Sequence, residues 1–389
     1  MLIRLLGKEA EALACGWPSP FADQADWAEA YVSYAWVMSL TLGNGDGTFG
    51  GEQETTVAQY VTFLLRALGY TTPNDFAWEH ALAKAAELGF SVSHFDPNGP
   101  IIRADAVLLS RTALDLNTKS GVLLRKAIES VAQVGSKGTP NGTMTSKGST
   151  SSGGIVIQDE AKVGANWKKD ILKANDLDIQ PNSGKVQVLV VSTHGTEAYS
   201  EADGLLYKDS DRYRTRNEDR CVLQVGEVLV NALNSMGIGA VHITCQEDYP
   251  NFVGSYERVR PHLVEALAQY PDVQMIIDVH RDAIEKDGKP LAVTTTIDDY
   301  KTAQLMLVSA IDYDNWQGNY GLSLAIHQAV EQRYPGLMRP LLVRDATYNQ
   351  FLTPGSILIE VGSHGNTLSQ AMYSVRLLAD ALGDYLKTH

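Results

Sequence analysis

Two histidines and a glutamate stand where apolar runs end: His194 after VQVLVVST, His280 after VQMIIDV and Glu360 after SILI. One histidine in such a place is usually structural, but two with a glutamate in the same relative place point to chemistry. His194 also lies three residues before Glu197 in STHGTEAYS. On a tight turn after a strand, an imidazole and a carboxylate so spaced can hold one zinc ion, with a distant histidine as third protein ligand and water in the fourth position. His280 suits that third place. Glu218, in RNEDR just ahead of a helical run, is the rival carboxylate, although an acid there also answers the partial positive charge of a helix N-terminus.

These residues need a scaffold that brings them together across 86 and 80 positions of chain. From residue 185 onward, apolar β-branched runs (186–193, 239–244, 273–279, 304–310, 357–361) alternate with amphipathic helical runs (221–236, 256–270, 319–333, 368–386). The alternation predicts an α/β fold with a mostly parallel sheet and flanking helices. In such sheets ligands bind beyond the carboxyl ends of the strands, which is where His194, His280 and Glu360 fall. Asp278, two positions before His280, can orient a ligand from the same strand face or serve as a cap. His242, inside VHIT, reads as a core histidine, and His364 and Asn366 sit in a turn after Glu360. The cluster Arg212, Arg214, Arg216 and Arg220 is interrupted by acids and reads as a solvated segment; Trp167 and Trp316 are single aromatics that could stack or pack.

The N-terminal part differs in kind. Residues 27–68 run helix, glycine turn (GNGDGTF), helix, and residues 78–114 repeat that order around FDPNG. MLIRLLGK at 1–8 aligns with FLLRALGY at 63–70, so the chain is expected to begin inside a repeat. The expected domains are helical repeats at 1–117, the first truncated, then a connecting helix at 118–134, a flexible tether at 135–154, a lead-in at 155–184 and the α/β domain at 185–389. Seventeen of the twenty residues in the tether are Gly, Ser, Thr, Pro or Asn, too few apolar groups to order themselves. By random-coil scaling such a tether spans on the order of 25 Å.

Composition excludes several classes. At 44% hydrophobic and 20% charged over 389 residues, the chain can fill real cores and is not a disordered or fibrous protein. A net charge of −14 lacks the footprint of a nucleic-acid binder. Cys15, Cys221 and Cys245 form no CxxC pair, which leaves neither a disulfide framework nor a cysteine-ligated zinc site. No apolar run is long enough for a transmembrane helix.

Two resemblances attach to these residues. The Trp-Ala start, the GDGTF turn and the helix ending RALGY resemble the S-layer homology repeat over residues 1–117. That family holds secondary cell-wall polymer through a Thr-Arg-Ala-Glu-like motif, which here reads Thr56, Val57, Ala58, Gln59 and then Ile102, Arg103, Ala104, Asp105, so Arg103 alone is kept as a polymer-binding candidate. Anchoring and a spacer role both stay open. STHGTEAYS, VGEVLVNAL, GSYERVRP, IIDVHRDA, YPGL, TYNQFLTPGSILIEVGS and Asn366 resemble, in order, the stage II sporulation protein P family over residues 185–387.

The second resemblance implies a zinc N-acetylmuramoyl-L-alanine amidase related to the cell-wall amidases, acting on peptidoglycan in the cell envelope, outside the membrane. His194, Glu197 and His280 would hold Zn2+ and Glu360 would be the catalytic carboxylate. Bound zinc lowers the pKa of its water from 15.7 to about 7 and polarises the carbonyl, while Glu360 takes the proton and passes it to the leaving amine. Inside ILIEVG an ionised carboxylate is costly unless paired or turned toward a cation; a salt bridge to an arginine is the structural alternative. Arg281 could donate to the oxyanion or to an acidic group of the substrate, or pair with Asp282. Its catalytic role requires the strand to end at His280, since successive strand residues face opposite sides. Tyr348, Asn349 and Gln350 are the expected substrate wall. A crosslink endopeptidase or carboxypeptidase-like zinc enzyme, and a non-catalytic wall-binding module, are the alternatives.

Overall fold

A computed structural model describes residues 1–132, 155, 157–161, 174–201 and 213–388. The N-terminal helices and the sheet with its helices form two compact units.

The first unit is helical, built from helix, turn, helix pairs. Val57–Ala67 starts in a capping box: Thr56 Oγ1 accepts from Gln59 N at 3.2 Å and Gln59 Oε1 accepts from Thr56 N at 2.9 Å. Gln59, in the place of an acidic motif residue, thus closes its own helix end. Leu64, Leu65 and Leu68 from this helix meet Phe76, Ala85, Phe90 and Leu109 in one core. The connecting helix is described over Leu124–Ala132, and Leu124 and Ile128 join the same core. Arg103 opens the helix Arg103–Leu114 and is exposed. The expected tether at 135–154 and Trp167 lie outside the described residues.

The second unit is built on a seven-stranded sheet. Its strands are β1 (Ile157–Asp159), β2 (Val188–Val191), β3 (Ala240–Ile243), β4 (Met275–Asp282), β9 (Leu305–Ala310), β10 (Leu341–Arg344) and β11 (Ile357–Ser363), in the order β1-β10-β9-β11-β4-β2-β3. Between β4 and β9 the chain forms two hairpins, β5 (Glu285–Lys286) with β6 (Lys289–Pro290) and β7 (Thr294–Ile297) with β8 (Tyr300–Ala303). All pairings within the seven-stranded sheet are parallel except β11 with β9. The expected mostly parallel sheet with flanking helices is the observed architecture. The short β1 and β10 and the hairpins escaped notice because runs of two to four residues carry no readable period.

Helices cover the sheet. Leu189, Val191 and Ile276 pack with Val259, Leu263 and Ala266 of the helix Ser255–Gln269, which continues through Pro261 as expected. The helices Val222–Ser235, Trp316–Arg333 and Leu368–Thr388 complete the unit, the last buried along most of its length. At roughly 25 cal/mol per Å² of apolar surface removed from water, each fully buried Leu or Val contributes about 1.5–3 kcal/mol. The central strands, with Val188 to Val191, Ile277 and Ile359 almost wholly buried, therefore form a rigid floor whose ends position the functional side chains.

Candidate metal centre

The register of the central strands brings the first two groups together. Glu360 on β11 is the ladder partner of His280 on β4, and ladder partners project to the same face. Ile276, Asp278 and His280 alternate onto the face covered by the helix Ser255–Gln269. The strand β4 continues through Asp282, three residues past the expected end.

His194 arrives just beyond β2. The next residue must be glycine, because a Cβ on Gly195 would stand 2.0 Å from the Cys245 carbonyl oxygen. Glu197 N then donates to His194 O at 2.9 Å, closing a turn that sets both side chains on one side. Glu197 Oε1 lies 3.4 Å from His194 Nδ1 and Glu197 Oε2 lies 3.6 Å from His280 Nδ1. The two imidazole rings stand 4.8 Å apart and nearly perpendicular, at 87°. Among the described residues, His194, Glu197 and His280 form the group whose ligand atoms all fall within 4.8 Å of one another, and all three are buried. Ligands at ~2.1 Å from one tetrahedral ion lie ~3.4 Å apart, which is the spacing seen on both sides of Glu197.

Charge at the site favours a cation. Burial opposes the ionisation of Glu197, yet the Arg281 guanidinium and the two histidines hold its carboxyl well below the usual range. Burial likewise opposes a charged His280, but Asp278 and Glu197 push its imidazole well above the ordinary value. The carboxylates thus draw a positive charge to the position where a metal would lie. Glu360 behaves oppositely: burial pushes it up to about 8, with Glu197 and Asp282 adding to the rise and His280 opposing it. Its Oε2 is buried and has no hydrogen-bond partner among the described residues. A His, Glu, His set with an idle buried carboxylate oxygen beside it suits a catalytic zinc ion.

The supporting groups have defined partners. Asp278 accepts from Thr193 N at 2.8 Å and Thr193 Oγ1 at 2.7 Å, and its Oδ1 lies 3.0 Å from His280 Nε2. Asp248 accepts from Thr196 N at 3.1 Å and Thr196 Oγ1 at 2.5 Å, and pairs with Arg214. It thereby ties the histidine turn to the loop after β3. Thr193, Thr196 and Asp248 were not singled out in the sequence. The threonines flank His194 and could have been suspected, whereas Asp248 lies 52 positions from Thr196 and left no local signal.

Several expected site residues sit differently. Arg281, still within β4, donates from Nε to Ala198 O at 3.0 Å and from Nη2 to Tyr213 O at 2.9 Å, while Nη1 lies 3.7 Å from Glu197 Oε1. Its guanidinium is committed inside the protein to positioning Glu197, and the alternative partner Asp282 is taken by Arg339 at 2.8 Å. Asn349 accepts from Arg260 and donates to Tyr256 O, both at 2.9 Å. Gln350 accepts from Ala310 N at 2.9 Å and donates to Val308 O at 2.8 Å. Both amides are used internally, so these two residues do not form the expected wall. Of the trio only Tyr348 faces the site region, its ring 5.2 Å from Tyr256, which lies 6.2 Å from His280. Tyr348 and Asn349 hold φ of +46° and +56°, and the neighbouring amides fix that turn. Glu218 is exposed on a short 3-10 turn, outside the three-residue group. Asn366 bridges Val293 and Ser363; His364 is buried against Tyr213. His242 packs on Gly226 with Nδ1 3.4 Å from Glu227. Arg212 lies outside the described residues.

A "Stage II sporulation protein P" of Bacillus subtilis (strain 168) is 30% identical over 216 residues, covering 53% of this chain and 52% of the relative, so the match spans about half of that protein. A "Cell surface protein" of Thermoanaerobacter kivui is 36% identical over 118 residues, 29% of this chain and 15% of the relative. Among solved structures, the N-acetylmuramoyl-L-alanine amidase AmiC2 of Nostoc punctiforme superposes over 53% of this chain and 99% of its own, at 18% identity and a TM-score of 0.34. Residues 123–383, more than half of the sequence and inclusive of every strand from β1 to β11, match the family described as Stage II sporulation protein P; the chain belongs to that family.

Proposed function

We propose that this chain is a zinc-dependent peptidoglycan hydrolase of the cell envelope, cleaving the amide between N-acetylmuramic acid and the L-alanine of the stem peptide. The observation that carries this reading is the meeting of His194, Glu197, His280 and Glu360 at adjacent strand ends. Membership of the family supports it. His194, Glu197 and His280 would hold the metal. When bound, zinc supplies a Lewis acid that polarises the amide carbonyl and acidifies water. Arg281 keeps Glu197 ionised and fixed, and Asp278 orients the His280 ring from its far nitrogen. Glu360 receives the proton of the attacking water at its idle oxygen and delivers it to the leaving nitrogen. The N-terminal unit would hold the enzyme near its substrate, with Arg103 the one candidate contact to secondary cell-wall polymer.

The test is mass analysis of products from purified peptidoglycan, with zinc and with chelator. Free stem peptides that vanish on chelation are expected. Cut crosslinks would instead identify an endopeptidase, and no products at all a wall-binding protein without turnover.

A further inference from the structure

Next to His194 the protein exposes a ledge that the metal centre does not use. The Phe252 ring lies 4.3 Å from the His194 ring and is 49% exposed; Tyr249, three residues earlier, is 55% exposed. Each ring carries an arginine. Arg214 lies over Phe252 at 4.5 Å and Arg216 over Tyr249 at 4.9 Å. The two arginines, expected as part of a solvated segment, are therefore drawn onto aromatic faces, but they differ in their ion pairing. Arg214 forms an ion pair with buried Asp248. Arg216 is exposed, and no carboxylate pairs with it among the described residues. Its carbonyl is held by Gln246 Nε2 at 3.2 Å, which ties it to the loop that bears both rings.

A stacked guanidinium keeps its N–H edges free and pre-orients them, which suits bidentate capture of a carboxylate. Half-exposed rings beside it offer contact to apolar stems of the same ligand. In a chain of net charge −14, an exposed arginine with no carboxylate partner among the described residues, next to the metal-site loop, is an address for an anion. We infer that Arg216, carried on Tyr249, is the residue that recognises a carboxylate of the substrate's peptide arm, with Phe252 guiding that arm past His194. This rests on the hydrolase reading above in its choice of substrate, and it assigns the ledge side of the centre to the peptide rather than the glycan.

The test is cosedimentation of the full chain with insoluble peptidoglycan stripped of attached polymers, in a Glu360→Gln background so that no turnover is needed. Two preparations serve as probes, one native and one with its peptide carboxylates converted to amides. Arg216→Gln is expected to weaken binding to native material about tenfold, the worth of one charge-assisted hydrogen bond, and to match its parent on the amidated material. Tyr249→Leu, which removes the platform, should show the same pattern if Arg216→Gln proves unstable. Equal binding of variant and parent to native peptidoglycan, or equal losses on both preparations, would overturn the assignment. Product analysis on the unsubstituted chain judges the hydrolase reading separately, since the sedimentation comparison does not depend on it.

Discussion

Glu197 stands at the centre of the site, shared between two imidazoles and held by Arg281. Removing a ligand should remove the metal: His280→Ala is expected to purify without zinc, as read by elemental analysis, and to lose at least about 10³-fold in turnover. Asp278→Asn should keep the fold and weaken zinc binding roughly 10- to 100-fold, the range for orienting partners of metal ligands, measured by competition with a chelating dye. Glu360→Gln should retain zinc and lose about 10²- to 10⁴-fold in rate, the usual share of a general base. The same carboxyl predicts a pH effect in the chelated protein. Burial raises Glu360 to about 8 from the usual 4.5. A raised folded value contributes stability that is full below the unfolded value and lost as pH climbs toward the folded one. Chelated wild type should therefore lose more thermal stability between about pH 5 and about pH 8 than Glu360→Gln.

Strands and turns explain why these side chains meet. The β4 and β11 register sets Glu360 beside His280, and Gly195 lets the turn after β2 pass within contact of the Cys245 carbonyl. Gly195→Ala would force those backbones apart and is expected to impair zinc retention with the sheet intact by circular dichroism. Apolar runs ending in His or Glu were readable because strand patterning is local, and the fold brings the candidates they marked close together. The roles of Asn349 and Gln350 were not readable, since an amide in a loop looks the same whether it faces substrate or pins a backbone. Gln350 closes the hydrogen bonds of Ala310 N and Val308 O. Gln350→Leu should thus cost about 1–3 kcal/mol for each buried group left unpaired, seen as a lowered melting temperature.

For the protein as a body, the proposed metal binding would be linked to folding. A ligand that binds only the folded chain stabilises it by about 4 kcal/mol at a thousandfold excess over its dissociation constant. Zinc is therefore expected to raise the melting temperature of the chelated chain in a concentration-dependent way, and to do so far less in His280→Ala. Differential scanning calorimetry with and without zinc checks this. Periodicity and strand patterning were enough to read off an α/β sheet preceded by a helical N-terminal region, because each is encoded in neighbouring positions, and strand ends with the HxxE spacing were enough to single out His194, Glu197, His280 and Glu360 as candidates. Which residues support that centre was settled by folding alone. Arg281 turns inward onto Glu197, Asp248 reaches back to Thr196, and two arginines come to rest on rings from a different loop. Such contacts join positions tens of residues apart through burial and charge, and pairings of that kind leave no trace in local spacing.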